Sequence, residues 1–252
     1  MDAGTRHEAI LGALRRRGYA SIEELAAGFG VTVQTIRRDL QALAGDGVLR
    51  RHHGGASLPS SVANTDYAVR HVEHAAEKAR IAQAAARLVP AGSSVFLTLG
   101  TTVEATARAL AHRRDLHAVT NSTAVARILG TESRIPVQVV GGAWQRHNGG
   151  LAGALAAEMA GRWRCDLLVT GVGGVGADGW LLDYHEDEVA VARVMLANAG
   201  RTMLVADHSK FYKSAACKLA PMSAVALLVT DQAPPASHGP AMQVAGTGVV
   251  VA

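Results

Sequence analysis

Two stretches in the latter part of this 252-residue chain hold side chains that could do chemistry. Asp178, Asp183, His185, Glu186, Asp187 and Glu188 crowd eleven residues, and Asp207-His208-Ser209-Lys210 follows an apolar run. Carboxylates near a lysine can move a proton beside a carbonyl, so a sugar-phosphate isomerase is one reading. These acids lack a pairing that would tune one as base and another as acid, which leaves a simpler reading: the acids cap a helix and Lys210 holds an anion. His185, Glu186 and Asp187 are metal-ligand types, but adjacent side chains point apart, so no metal is expected.

Gly171-Val172-Gly173-Gly174-Val175-Gly176 spells G-x-G-x-x-G. Asp178-Gly179-Trp180 does not open a helix, and no acid-ended strand follows about twenty residues on, so a dinucleotide is not expected and no cofactor is inferred. A glycine loop beside a ligand fits better. Gly100-Thr101-Thr102 ends an apolar run and opens a helix, where N–H groups and hydroxyls can hold a phosphate. Thr120-Asn121-Ser122 repeats the pattern. Capping explains either loop alone; two on one sheet edge favour ligand contact. The candidate effector-binding residues are Gly100, Thr101, Thr102, Asn121, Ser122, Gly173, Asp178 and Lys210.

The elements that would position them alternate. Apolar strands are expected over 94–98, 117–120, 137–140, 166–170, 203–206, 225–230 and 248–251, with amphipathic helices over 78–89, 101–111, 123–129, 151–162 and 188–199. That order predicts an α/β fold, a mostly parallel sheet with helices on both faces. Pro59 to Val72 carries Pro, Ser, Asn and Asp with little periodicity and reads as a linker. The expected division is 1–58, a linker over 59–76, and 77–252.

The first 58 residues read differently. They carry eight arginines and six acids, and seven of the arginines fall in three clusters, at 15–17, 37–38 and 50–51. Ile10, Leu11 and Leu14 mark a first helix. Ser21 with Glu24 is a capping box for a second, and Val33, Ile36, Leu40 and Leu43 stripe a third after the bend at Gly30. Residues 48–52 and 56–58 form a hairpin. This is the pattern of a winged helix-turn-helix. Its third helix can enter a major groove with Gln34, Thr35, Arg37 and Arg38, while Arg50, Arg51, His52 and His53 lie near the backbone. A basic bundle for protein contacts is the alternative; the hairpin favours double-stranded DNA.

Residues 6 to 58 resemble the DeoR-type bacterial transcriptional repressors, above all at Val31-Thr32-Val33-Gln34-Thr35, Ile36-Arg37-Arg38-Asp39-Leu40 and His53-Gly54-Gly55-Ala56. In that reading Asp39 orients the two arginines or caps a neighbouring group rather than touching DNA; otherwise it is an exposed i,i+4 helix-pairing residue. The resemblance continues through Val95 to Thr102, Val119 to Ser122, Gly141-Gly142, Gly171 to Gly179, Val205 to Phe211 and Val229-Thr230-Asp231. It implies a C-terminal domain similar to ribose-5-phosphate isomerase-like folds that senses a phosphorylated sugar or related metabolite. Two positions depart from the family pattern: Thr98 stands where an Asp is usual, and Ala192 where a Lys is common. Recognition of a sugar hydroxyl by that Asp is therefore absent.

Composition bounds the rest. With 49% apolar and 18% charged residues, and a mean hydropathy of +0.14, the chain is too apolar for disorder, while no run approaches the ~18 residues of a membrane span. The first 18 residues lack a leader-like apolar core, so the cytoplasm is expected. Cys165 and Cys217 are too few for a disulfide scaffold. The net charge of +4 permits a polyanionic partner. The expected function is a DNA-binding repressor of a sugar or carbon-metabolism operon, not an enzyme. A homo-oligomer, dimer or tetramer, is expected because one helix in one groove reads too few base pairs. The rivals are an isomerase with an accessory DNA-binding domain and a structural DNA-binding protein needing no ligand.

Overall fold

The computed structural model describes residues 2–17, 19–52, 54–58, 64 and 66–252. The chain opens with α1 (Ala3–Arg17), β1 (Tyr19–Ser21), α2 (Ile22–Phe29), α3 (Val33–Gly45), β2 (Arg50–His52) and β3 (Gly55–Ser57). Local chemistry sets the helix ends. The Ser21 hydroxyl accepts from the Glu24 N–H while Glu24 accepts from the Ser21 N–H, closing the expected capping box. Gly30, at φ 64, makes the left-handed turn that stops α2, and Thr32 caps α3. Ile10, Leu11, Leu14, Leu25, Ile36, Leu40 and Leu43 then bury their side chains in one core.

The hairpin is part of a three-stranded antiparallel sheet, ordered β1-β3-β2. A three-residue strand between two helices is too short to show a period, so β1 was not legible. Gly55 sits opposite Ser21 and His52, and a Cβ there would collide with the Ala20 carbonyl oxygen and the Tyr19 ring. Only glycine lets these strands close.

Two helices, α4 (Tyr67–Val72) and α5 (Ala75–Leu88), lead into the second unit. It runs β4 (Ser94–Leu97), α6 (Thr101–Leu110), β5 (His117–Thr120), α7 (Thr123–Glu132), β6 (Val137–Val139), a short hairpin of β7 (Ala143–Trp144) and β8 (Leu151–Ala152), then α8 (Ala154–Gly161). After it come β9 (Cys165–Thr170), β10 (Gly174–Val175), β11 (Trp180–Asp183), α9 (Glu186–Ala197), β12 (Ala199–Val205), β13 (Cys217–Pro221), β14 (Leu227–Thr230), α10 (Gly239–Ala245) and β15 (Gly248–Val251).

Seven strands form one parallel sheet, ordered β15-β14-β12-β9-β4-β5-β6. Side-chain alternation splits the core. Val95 and Leu97 of β4 pack with α5, α6 and α7, whereas Phe96 packs with α8 and α9. From β4 the chain fills outward to β6, then returns beside β4 as β9 and fills the other way. That reversal opens a crevice at the carboxyl ends of β4 and β9.

Departures from the sequence expectation are local. Residues 151–152 are a strand, not helix, because Gly153 at φ 89 breaks the chain before α8. The strand expected from 203 begins at Ala199, after Asn198 folds its side-chain amide back onto the Val194 carbonyl and ends α9. A second three-stranded antiparallel sheet, β10-β11-β13, was hidden by the shortness of its strands and by Gly174 in β10. Among the described residues no helix is long and apolar enough to cross a membrane.

Candidate functional site

The crevice at the strand reversal is lined by Leu99, Gly100, Thr101 and Thr102 after β4, by Gly171, Val172 and Gly173 after β9, and by Lys210 beyond β12, with Asp183 and Glu188. Gly100 takes φ 128, a conformation side chains rarely adopt, and sets the uncapped start of α6 at the cleft. Gly173 has no room for a side chain: a Cβ would stand 2.8 Å from the Tyr184 ring. Burial, with Glu188 nearby, raises the Asp183 carboxyl above its ordinary range. Asp207 does the opposite. Burial would raise it, but Lys210 and the Ser209 hydroxyl hold it at about 2.

Of the sequence candidates, Gly100, Thr101, Thr102, Gly173 and Lys210 therefore come together. Asn121 lines an adjoining recess with Thr98, Asp183, Glu188 and Ala192. Its Nδ2 donates to the Leu151 carbonyl at 3.1 Å, and its buried Oδ1 has no partner among the described residues. Thr98 pairs with the Thr170 hydroxyl at 3.0 Å. Ser122 faces neither opening; its hydroxyl accepts from the Val125 N–H and caps α7. Asp178 is also elsewhere. The β10–β11 turn carries it to a separate cavity of about 620 Å³ shared by Leu14, Arg15 and Leu58 of the first unit and Phe211, Tyr212 and Lys213 of the second.

Sequence reasoning missed three cleft residues, Asn64, Tyr67 and Arg70, all within the expected linker. Helix α4 is held there by Glu104, which is 2% exposed. The Tyr67 hydroxyl donates to one Glu104 oxygen at 2.7 Å, and His71 Nε2 lies 3.0 Å from the other. Burial, with this bond, raises the Tyr67 phenol. The available signal was Glu104 itself, an acid on the inward face of an apolar helix. Lys78, buried beneath α4, donates to the carbonyls of Arg70 and Glu73, and burial pushes its ammonium down to about 8.

On the first unit, Gln34, Arg37 and Arg38 are exposed along α3 and Arg50 and Arg51 along β2. The half-buried Thr35 lies 2.9 Å from the Thr32 hydroxyl. His53 lies outside the described residues. Asp39 corrects the sequence reading. It neither orients the arginines nor stands in solvent, but is buried with its carboxylate 2.6 Å from Arg6 Nε, 3.0 Å from Arg6 Nη2 and 3.1 Å from His7. Burial opposes its ionisation, yet these bonds hold its pKa below the usual value. Three residues after Ile36 and one before Leu40, Asp39 belongs to the inward face and ties α3 to α1.

The two units meet at the end of α3. Its C-cap residue, Asp46, presents its carbonyl to His74 Nε2 at 3.2 Å. The His74 ring meets the His208 ring edge-on at 5.1 Å. His208 opens the 3₁₀ turn His208–Tyr212 that also carries Lys210, and Tyr212 of that turn packs against the core of the first unit.

The sequence matches the DeoR-like helix-turn-helix domain over residues 6–62 and the DeoR C-terminal sensor domain over residues 73–232. The chain belongs to the DeoR family. Within it, the chain is 44% identical to the HTH-type transcriptional repressor CsqR of Escherichia coli, over 94% of this chain and 91% of that protein. It is 39% identical to the glycerol-3-phosphate regulon repressor of Escherichia coli, over 94% of each. Among solved structures, ribose 5-phosphate isomerase A of Methanocaldococcus jannaschii aligns with 55% of this chain and 55% of its own at 17% identity, with a TM-score of 0.42. This DeoR-family member thus combines a winged helix-turn-helix with a seven-stranded parallel α/β sheet.

Proposed function

We propose that this chain is a transcriptional repressor of a sugar or carbon-metabolism operon. It binds double-stranded operator DNA through α3 and the wing as a homo-oligomer, and a phosphorylated sugar or related metabolite in the cleft releases it. The working division is a DNA-binding domain over 1–58, a linker over 59–76 and an effector domain over 77–252. Cleft and reading helix are joined by one short element: the turn His208–Tyr212 carries Lys210 into the cleft and His208 to the end of α3. The phosphate sits between the α6 N-terminus at Thr101 and Thr102 and the Lys210 ammonium, which together supply N–H donors and a balancing charge.

The isomerase alternative needs a base and an acid on one substrate. Of the sequence acids, Asp178 lines a different cavity, which weakens that reading. The test is fluorescence anisotropy with DNA from upstream of the gene and with random duplex, at fixed salt, while sugar phosphates are titrated. The reading requires preference for the upstream DNA, release by at least one sugar phosphate, and a weakening of that release by Lys210→Ala or Thr101→Val with unchanged operator affinity. Equal binding to both duplexes would sink it. Turnover of a pentose or hexose phosphate, lost in Lys210→Ala, would favour the isomerase.

A further inference from the structure

The sequence places His147 some forty residues from Glu188, and nothing in the spacing joins them. The fold does. His147 lies in the turn between β7 and β8, where Gln145 and Gly149 close a backbone hydrogen bond of 2.8 Å and Gly149 takes φ 69. Thr123 pins that turn, donating to the Gly149 carbonyl from both its N–H and its hydroxyl. Opposite stands the start of α9. His185 is its N-cap residue, yet its imidazole makes no capping bond, and Glu188 follows three positions later on the same side of the helix. The rings of His147 and His185 lie 4.1 Å apart. Glu188 is buried, and one of its oxygens sits 2.8 Å from His147 Nε2 and 3.0 Å from Asn148 Nδ2.

We propose that His147, His185 and Glu188 bind one divalent transition-metal ion of the zinc type at the rim of the cleft. One ligand atom from each residue already lies within 4.8 Å of the others. Bonds of about 2.0–2.1 Å in a tetrahedral site need donors roughly 3.4 Å apart, so the widest pair closes by at most about 1.4 Å while His147 and Glu188, now 2.8 Å apart, open slightly. His147 is exposed and His185 half-buried, which leaves both imidazoles free to rotate into place. Two nitrogens and one oxygen suit zinc, cobalt or nickel, whereas magnesium and calcium prefer oxygen throughout. Three protein ligands leave a fourth position open, as in sites that take water or a substrate oxygen. Glu188 and Asn148 also line the cleft, so that position adjoins the space proposed for the effector.

The ion's binding does not rest on the effector reading, because it is tested with metal alone. The full chain, stripped with chelator and dialysed, is titrated with Zn²⁺ by calorimetry and with Co²⁺ by visible absorption, without any sugar phosphate. One ion per chain is expected, with Co²⁺ bands typical of low coordination. His147→Ala and His185→Ala should each weaken binding by about tenfold or more, and the double variant should abolish the bands. His147 is exposed in its turn and His185 half-buried at the start of α9, and retained melting temperature and operator binding would show the variants folded. The proposal is overturned if the wild type binds no ion at micromolar concentration, or if the double variant binds as the wild type does, which would assign the ion to other histidines. A sugar phosphate that binds equally with and without metal removes only the contact to the effector.

Discussion

His208 Nε2 lies 3.9 Å from the Asp46 carboxylate, across the junction between the unit that reads DNA and the unit that holds the cleft. That nitrogen is buried and has no hydrogen-bond partner among the described residues, while Nδ1 of the same ring is held 2.7 Å from Asp231. The ring is thus fixed at one end and poised over Asp46 at the other, where a small shift of its turn makes or breaks the contact.

The bond to Asp231 raises the pKa of His208 above its ordinary 6.5 against the opposing effect of burial, with Asp207 and Asp46 adding to the rise. Asp231, Asp207, Asp46, His74 and Gln232 are the polar groups that face it. A raised pKa means the protonated ring stabilises the fold: the contribution is complete below about 6.5 and fades as pH rises through the folded value. Asp207 and Asp231, both lowered, lose theirs only in acid, well outside that window. Melting temperature should therefore fall as pH rises above about 6.5, through the raised folded value, by a component that His208→Gln removes. An unchanged pH profile in that variant contradicts the assignment.

Asp46→Asn removes the charge beneath His208 without touching the cleft or the exposed arginines. Operator affinity without effector, and effector affinity without DNA, should each stay within about twofold of wild type. What should shrink is the factor by which one ligand weakens the other, which linkage requires to be equal in both directions. Calorimetric titrations of effector with and without operator give this factor; a wild-type value in the variant removes Asp46 from the route.

Arg37 and Arg50 should separate reading from positioning. Arg37→Ala on α3 should cost about 1–3 kcal/mol at one base position if it grips a guanine. Arg50→Ala on the wing should weaken all sequences alike and lower the slope of log affinity against log salt by about 1. Binding to a set of single-base operator variants at several salt concentrations tests both.

Asp39→Asn keeps the shape of the inward face of α3 but loses the charge shared with Arg6 and His7. Hydrogen bonds to charged groups contribute about 1.5–3 kcal/mol each, so urea unfolding should show a loss of that order. Arg37 and Arg38, which Asp39 does not touch, should bind DNA normally wherever the variant is folded. A loss of operator affinity with undiminished stability would restore Asp39 to a role in orienting them.

The fold was legible wherever residues repeat with a clear period. The stripe Val33, Ile36, Leu40 and Leu43, the box of Ser21 and Glu24, and the parallel strands all appear near their expected places. Strands of two or three residues were not, because β1 and β10 owe their pairing to partners outside their own segment and to glycines, Gly55 and Gly174, that admit a neighbouring backbone. The site followed the same division. Thr101, Thr102 and Lys210 end strands of one sheet, and strand ends can be placed from topology. Asp178 was misplaced because its turn belongs to an antiparallel hairpin, and Tyr67 and Arg70 were overlooked because a linker was expected to be passive. Asp39 was misread because charge suggested the surface, when its helical phase put it inside.

The strand-end turn described above also separates two kinds of change. Lys210 and His208 ride on one short turn beyond β12, whereas Thr98, Asn121 and Ala192 line the recess from the ends of β4 and β5 and from α9. Under the proposed function, substitutions in the recess would alter which molecule fits while leaving the turn that carries Lys210 and His208 untouched. A lineage built on this scaffold could exchange its signal without rebuilding its switch, and an engineer could do likewise: new ligand specificity is to be sought at 98, 121 and 192, with residues 207–212 held fixed.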